Sequence, residues 1–502
     1  MPISIINSAA SWILKKRIHQ IELFQKYPNE VQDELLHNLI KTAESTLFGQ
    51  KHDFGNIINY RQFVEKVAVA TYEDLEPLIS QSRQGENNIF WPSTIKWFAK
   101  SSGTTNAKSK FIPVSNEALE NCHYKAAKDL LSLYLNNNED SEMFTGKSLR
   151  LGGSKEIFEH NNTFFGDLSA ILIENMPLWA EFSSTPSSKI SLMNDWETKL
   201  LAIVNETKNE NVTSLAGVPS WMLVLLNKVL AETGKNNLLE IWPNLEVYFH
   251  GGVSFEPYRS QYKNLLPKSS FQFYEIYNAS EGFFAIQDQN NSSDLLLMLD
   301  YGIFYEFLDM KTFGSETPKI IRLSEIEIDV NYAIIITTNA GLWRYQIGDT
   351  VRFTCKSPYR IRVTGRTKHF INVFGEELII ENADAAIATA CKQTSAEVID
   401  YTVAPIFMEG RANGAHEWMI EFRQKPENQQ NFNAILDETL QNLNSDYEAK
   451  RRNNITLNPP KINVASENLF HNWLKNKDKL GGQNKIPRLS NSREYIDQLL
   501  MI

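Results

Sequence analysis

Apolar positions recur at mostly helical intervals near the start of the chain, at Ile21, Phe24, Val31, Leu35, Leu36 and Leu39. Over the first ~45 residues this predicts helices that bury one face. From about residue 95 to residue 290 helical periods alternate with short apolar runs. A helix is expected after Ser115, a candidate N-cap, with Leu119, Cys122, Ala126, Leu130 and Leu133 inward. A second begins after Gly217-Val218-Pro219 and carries Trp221, Val224, Leu225 and Val229. Leu245 to His250 reads as a strand ending at Gly251-Gly252, and Phe271 to Tyr277 as a strand of alternating aromatics. Such alternation predicts an α/β sheet covered by helices.

From about residue 295 to 365 the texture changes to short β-rich runs: Leu295–Leu299, Ile303–Phe307, Tyr332–Thr338, Val351–Thr354 and Arg360–Val363. These predict a β-barrel-like antiparallel sheet appended to the α/β body. Beyond Gly365 the pattern is mixed α+β. The expected architecture is α/β: a large N-terminal domain over residues 1–365 and a smaller, mobile C-terminal domain over residues 366–502. The boundary is placed near Thr364–Phe370, where the β-rich region ends in a glycine and a basic run.

Composition narrows the chemistry. At 502 residues with 42% hydrophobic and 22% charged positions, the chain can fill more than one core. A net charge of −10 argues against a basic nucleic-acid surface. Cys122, Cys355 and Cys391 are widely separated, and the nine histidines show no metal-ligand spacing. That excludes a disulfide framework and a zinc site and suits a reducing compartment. No segment reaches the roughly 18 uninterrupted apolar residues of a membrane helix. Lys15-Lys16-Arg17 follows a short apolar run, the reverse of a secretory signal. A cytoplasmic protein without membrane or nucleic-acid partners is expected.

Candidate chemistry concentrates in four stretches. Ser101-Ser102-Gly103-Thr104-Thr105-Asn106-Ala107-Lys108-Ser109-Lys110 lies between two apolar runs, Ile95 to Ala99 and Phe111 to Val114. A turn rich in hydroxyls and ammonium groups can cradle a polyphosphate; it can also be an ordinary surface hairpin. It is not a nucleotide-kinase P-loop, because Lys108 holds the place of the second glycine. Tyr277-Asn278-Ala279-Ser280-Glu281-Gly282 follows the aromatic strand, where a tyrosine can stack on a purine and a glutamate can hold Mg²⁺. The alternative there is a turn with a solvent-facing glutamate. In Tyr345-Gln346-Ile347-Gly348-Asp349 the aspartate, read at a strand end, can accept both hydroxyls of a ribose, or be a β-turn residue. Gly481-Gly482-Gln483-Asn484-Lys485 is a loop that can carry a lysine to a distant site, or leave it in solvent.

These motifs, with Gly365-Arg366-Thr367-Lys368 between the last two, stand in the order found in the acyl-adenylate-forming (firefly luciferase-like) superfamily. More closely, the chain resembles the auxin-responsive acyl-acid amido synthetases of plants and their bacterial relatives. Supporting stretches are Gly217-Val218-Pro219-Ser220-Trp221, Phe249-His250-Gly251-Gly252-Val253 and Thr337-Thr338-Asn339-Ala340-Gly341-Leu342. The similarity runs from about residue 95 to the C-terminus. Two departures stand out: Asn106-Ala107 where a second small residue or glycine is usual, and Gln346 where an arginine is common. The second removes an ion pair expected in that strand.

The resemblance implies an ATP- and Mg²⁺-dependent ligase. A carboxylic acid would be activated to an acyl-adenylate with release of pyrophosphate, and an amino acid amine would then take the acyl group with release of AMP. Carried over residue by residue, Ser101, Ser102, Gly103, Thr104, Thr105 and Lys110 would hold the β- and γ-phosphates, and Glu281 would ligate Mg²⁺. Tyr277, Asn278, Ala279 and Ser280 would meet adenine and ribose, with Gly251 and Gly252 letting the backbone approach the base. Asp349 would bind the ribose hydroxyls, with Arg366 nearby. Lys485 would bridge the substrate carboxylate and the α-phosphate, and Lys368 would be the hinge of domain alternation. Trp221, Met222, Phe283 and Phe284 would line the acyl pocket or be plain core, and Lys155 could meet the acceptor's carboxylate. The resemblance favours a monomer. The competing readings are an acid–thiol ligase using coenzyme A or a carrier protein, and a catalytically silent nucleotide binder.

Overall fold

The computed structural model describes residues 12, 14, 16–101, 110–151, 157–176, 178–193, 195–252, 255–367, 370–371, 376, 378–407, 413–451, 457–477 and 485–502. The chain forms two compact units. The first comprises Met1–Val218, Leu225–Gly252 and Lys268–Arg362; the second comprises Pro219–Val224, Val253–Pro267 and Val363–Ile502.

In the first unit the N-terminal helical period yields helices Ile18–Lys26 and Pro28–Thr42, with Ile21, Phe24, Leu36 and Leu39 buried. One buried polar side chain ties the second helix to the sheet. The Gln32 amide donates to the carbonyls of Leu299 (2.9 Å) and Ile303 (3.0 Å) and accepts from the Tyr305 N–H (2.9 Å). A buried amide so satisfied fixes the helix in one register, since a slip would strand its donors and acceptor.

The main sheet has twelve strands in the order Ile320–Arg322, Ile303–Asp309, Asn331–Thr338, Tyr345–Lys356, Tyr359–Arg366, Leu295–Leu297, Gly282–Ile286, Gln272–Ala279, Val247–Gly251, Val212–Gly217, Lys147–Arg150 and Ser184–Thr185. The last five are parallel to one another. The switch to antiparallel pairing comes at the hairpin in which Ala279 pairs with Gly282. The β-rich run therefore joins the parallel strands in one hydrogen-bonded ladder. Ile303–Asp309 and Asn331–Thr338 within it are buried almost throughout, which explains their continuous apolar texture.

Trp97–Ser101 and Lys110–Val114 form an antiparallel pair from Trp97↔Val114 to Ser101↔Lys110, in a separate four-stranded sheet. After it, Ser115 caps the predicted helix. Its hydroxyl accepts from the Ala118 N–H (2.9 Å) and donates to the Asn339 carbonyl (2.8 Å). The helix is not uniform: Leu119–Tyr124 is a π-helical turn before Lys125–Asn137 resumes α geometry. Leu119, Cys122, Ala126, Leu130 and Leu133 are all buried as their spacing predicts.

The second unit is built on strands Glu397–Ile406 and Ala415–Gln424, antiparallel, with Lys461–Val464 added parallel to the latter. Helices Ile380–Thr394 and Gln429–Leu443 share a core with Trp418, Ile420 and Leu457. The Tyr262 hydroxyl, from the Val253–Pro267 insertion, donates to the Pro219 carbonyl (2.8 Å) of the other short insertion.

Candidate functional site

Three of the sequence candidates meet in the first unit where the parallel strands end. Such strand ends, at a change of sheet direction, are where open α/β sheets hold ligands. Val247–Gly251 ends at Gly251, and Gly252 follows with φ +80°, a conformation that only glycine adopts without strain. Gly251 is forced for a different reason. A Cβ built there would lie 2.5 Å from the Ile276 carbonyl oxygen and 2.8 Å from Ile276 Cγ1 on the neighbouring strand. Gly251→Val is therefore expected to push those two strands apart. A lower melting temperature than that of a Gly314→Val control, whose site is open and whose penalty is only its left-handed backbone (φ +79°), would show it.

Tyr277, Asn278 and Ala279 lie in strand Gln272–Ala279, and Ser280-Glu281 is a two-residue turn into Gly282–Ile286. Glu281 is thus presented at the tip of a tight hairpin, partly exposed. The Tyr277 hydroxyl is turned inward and donates to Asp349 Oδ2 at 2.8 Å, with both side chains buried. Asp349 was expected at a strand end. It lies instead inside the twelve-residue strand Tyr345–Lys356. Ala333 pairs with Thr350 and Ile335 with Gln346, so Ile347, Gly348 and Asp349 stand opposite the single residue Ile334. Gly348 has φ +87°, and this bulge re-aims the aspartate toward Tyr277.

The aromatic candidates divide. Phe284 is completely enclosed, with Tyr277 at 4.9 Å and Tyr305 at 6.4 Å between ring centroids. It packs within the core through these two rings. Phe283 is nearly so, against Tyr301 (6.2 Å), and its N–H donates to Cys122 Sγ at 3.2 Å. Burial pushes the Cys122 thiol up to about 12, leaving it an inert packing group, and pulls the adjacent His123 imidazole down to about 4, so the ring is neutral. Lys110 stands at the mouth of its hairpin, its ammonium 5.5 Å from the centre of the Tyr72 ring. Ser102, Gly103, Thr104 and Thr105, and also Lys155 and Lys368, lie outside the described residues, and only the backbone of Ser101 is described.

In the second unit, Trp221 and Met222 are buried in the first turn of helix Pro219–Thr233. Arg366 ends strand Tyr359–Arg366, and Lys485 is exposed on an extended stretch.

One residue of the first unit escaped sequence reasoning. Arg150 ends strand Lys147–Arg150, two strands from Val247–Gly251, or about 10 Å at ordinary strand spacing. It is largely buried, and burial alone pulls its guanidinium below the usual arginine value. Its Nη1 donates to the Met176 thioether (3.3 Å), and no carboxylate among the described residues lies within ion-pair distance. Nothing in the preceding Lys147-Ser148-Leu149 marked it in the sequence, where a lone arginine is one among many.

Among the described residues no group of three or more His, Cys, Asp or Glu could cage a metal. Glu281 alone still suits Mg²⁺, which commonly takes one or two carboxylates and completes its shell with phosphate oxygens and water. No helix among the described residues is long and apolar enough to cross a membrane.

Residues 17–271 match the GH3 family N-terminal domain, 296–366 its central domain and 381–494 its C-terminal domain. The chain is 23% identical to an indole-3-acetic acid-amido synthetase, GH3.2, of Arabidopsis thaliana, over 68% of this chain and 74% of that protein. The structure of a GH3.15 acyl acid amido synthetase in complex with 2,4-DB superposes with a TM-score of 0.79 at 17% identity, covering 97% and 96% of the two chains. A 2-hydroxyisobutyryl-CoA ligase in complex with its acyl-AMP shares the fold at a TM-score of 0.61 and 13% identity, over 94% and 92%. The chain belongs to the GH3 family, and the relatives it matches include amide-forming ligases.

Proposed function

We propose that this protein is an ATP-dependent acyl-acid amido synthetase, forming an acyl-adenylate from a carboxylic acid and passing the acyl group to an amino acid. The observation that carries the reading is the convergence of Gly251, the Tyr277–Asp349 pair and the Glu281 turn at one edge of the main sheet. Family membership and the fold shared with an adenylate-forming ligase support it.

The physical problem is bringing a carboxylate to a phosphate, both anionic. Oriented donors and cations must offset that repulsion before any bond forms. The hairpin of Ser101 and Lys110 would hold the β- and γ-phosphates. The bare backbone at Gly251 and Gly252 lets adenine lie against the strand end. Asp349, steadied by the Tyr277 hydroxyl, would keep a free lone pair for the ribose. Glu281 would hold Mg²⁺, which supplies charge neutralisation on the phosphates. Lys485 would meet the α-phosphate and the substrate carboxylate. The acyl chain would lie along Trp221 and Met222. Lys368 would be the hinge between the two half-reactions. The enzyme would act as a cytoplasmic monomer; its three cysteines form no disulfide, which suits a reducing compartment.

Arg150 is the described group best suited to the acceptor's own carboxylate. A largely buried guanidinium with no counter-charge among the described residues is costly, and an amino acid anion would offset that cost on binding. Arg150→Met is expected to raise KM for the amino acid about 10- to 100-fold, the worth of a charge-assisted hydrogen bond pair. Acid-dependent ATP–pyrophosphate exchange should keep its rate, and the melting temperature should hold or rise. A fall in exchange as large as the rise in KM would remove the assignment.

The reading as a whole is tested by ATP–pyrophosphate exchange across aromatic, indole and aliphatic acids, followed by AMP release with amino acids and, separately, with coenzyme A. Acid-dependent exchange and release driven by amino acids support it. Release driven by coenzyme A alone makes the protein a thiol ligase, and ATP binding without exchange makes it a silent binder.

A further inference from the structure

Lys485 stands on a stretch that is pinned immediately after it. The Thr402 hydroxyl donates to the Pro487 carbonyl (2.6 Å), the Val403 N–H donates to the Arg488 carbonyl (2.8 Å), and the Ser490 N–H donates to the Val403 carbonyl (3.0 Å). Residues 487–490 thus lie along strand Glu397–Ile406. The Arg488 side chain turns inward, 11% exposed. Its guanidinium pairs with Asp384, donates to the Tyr258 hydroxyl (2.7 Å), lies 3.8 Å from Asp400 and covers the Tyr401 ring at 4.7 Å. Tyr401 itself donates to Asp384.

Four groups from three separate stretches of the chain thus close around one cation. Burial pulls the Arg488 guanidinium down, but Asp384, Tyr258, Tyr401 and Asp400 outweigh it and hold it well above its ordinary value. Burial pushes the Asp400 carboxyl up, opposed by Arg488 and also by the charge of Lys485. Asp400 therefore feels the clamp and the lysine together. Tyr258 belongs to the Val253–Pro267 insertion, part of the same unit as Lys485. Arg488 consequently ties the lysine's stretch, across 230 residues of sequence, to that inserted segment.

We propose that Arg488 is a positioning residue for Lys485, its guanidinium held by Asp384, Asp400 and Tyr258 so that the lysine's stretch has one place relative to that segment. The inference rests on the adenylation reading above. A flexible four-carbon lysine reaches a reacting phosphate only from a fixed base, and a misplacement of about 1 Å costs on the order of 100-fold in rate. A guanidinium suits the fixing because its planar fork bonds several partners at set angles, which an ammonium does not.

The test uses the full chain and separates the half-reactions. Wild type, Lys485→Ala, Arg488→Lys, Tyr258→Phe and the double variant Arg488→Met/Asp384→Asn are compared. The double variant removes the cation with a carboxylate, leaving less unpaired buried charge. Each is measured for acid-dependent ATP–pyrophosphate exchange, for amide formation from a supplied acyl-adenylate, and for melting temperature. The proposal expects kcat for exchange to fall about 100-fold in the double variant and about 10-fold in Tyr258→Phe, with KM for ATP and the supplied-adenylate reaction within about threefold. Arg488→Lys should keep the charge and still lose exchange. Equal loss of both half-reactions, or full exchange in a folded Tyr258→Phe and Arg488→Lys, overturns it. Wild-type protein without exchange would overturn the adenylation reading and the clamp with it. Exchange lost in Lys485→Ala but kept in every clamp variant would sink the clamp alone.

Discussion

Lys485→Ala should lower acid-dependent ATP–pyrophosphate exchange by about 100- to 1,000-fold, the usual cost of removing one preorganised charge from a developing transition state. Acyl transfer from a supplied acyl-adenylate should fall far less, because the charge problem that Lys485 addresses is already past. Sequence position makes the assignment specific. The lysine is exposed, and its C-terminal side is anchored to strand Glu397–Ile406 through Thr402 and Val403. Folding should be unaffected, since an exposed lysine contributes little to stability. The check is exchange and supplied-adenylate transfer on the same preparation. Exchange at the wild-type rate would remove Lys485 from the reaction.

The largest loss of stability is expected from Glu306→Ala. Arg344 and Glu306 form a two-pronged pair, Nε to Oε2 at 2.9 Å and Nη2 to Oε1 at 2.8 Å, with side chains 7% and 1% exposed. Tyr60 donates to the same carboxylate (2.8 Å), and Arg344 Nη1 donates to the Val67 carbonyl (2.7 Å). Arg344 also holds φ +45°, an unusual backbone for a bulky side chain, so the network over-determines a strained turn. Removing the carboxylate leaves a cation buried with one carbonyl, at a cost of about 3–5 kcal/mol. Replacing both partners, as Arg344→Met/Glu306→Met, should recover much of that, because no charge is then stranded. Thermal and urea unfolding of Glu306→Ala, and of Arg344→Met, Glu306→Met and their double variant as a cycle, would check it; additive losses in the cycle would mean that the pair is not coupled.

This network also shows what could be read from sequence and what could not. Gln346 in place of an arginine suggested a missing ion pair in the strand. The structure supplies a buried pair two residues earlier, from Arg344, whose partner lies 38 residues away. Local pattern cannot announce such a partner. The elements themselves were legible where period and cap agreed, as in Ser115 with its helix, or in the aromatic strand ending at Ala279. The π-helical turn Leu119–Tyr124 was not, because one extra residue per turn scarcely alters an apolar pattern that stays buried on both sides. Asp349 was found, yet its setting was misread: a bulge inside a long strand has the same Gly-Asp signature as a turn at its end. Arg150 was invisible, since what distinguishes it is burial with no carboxylate partner among the described residues. Tyr258 and Arg488 lie 230 residues apart, and nothing in either neighbourhood points to the other.

Five chain crossings separate the two units, because Pro219–Val224 and Val253–Pro267 belong with the C-terminal residues. A ribosome makes those two insertions long before their partners exist. Tyr258 and Gln261 must wait, solvated, until Val398 and finally Arg488 emerge. A fragment cut at residue 363 would therefore be born without Tyr258 as a partner for Arg488, and the upstream fragment would carry two orphaned insertions. The smaller unit is a piece that only the whole chain can finish.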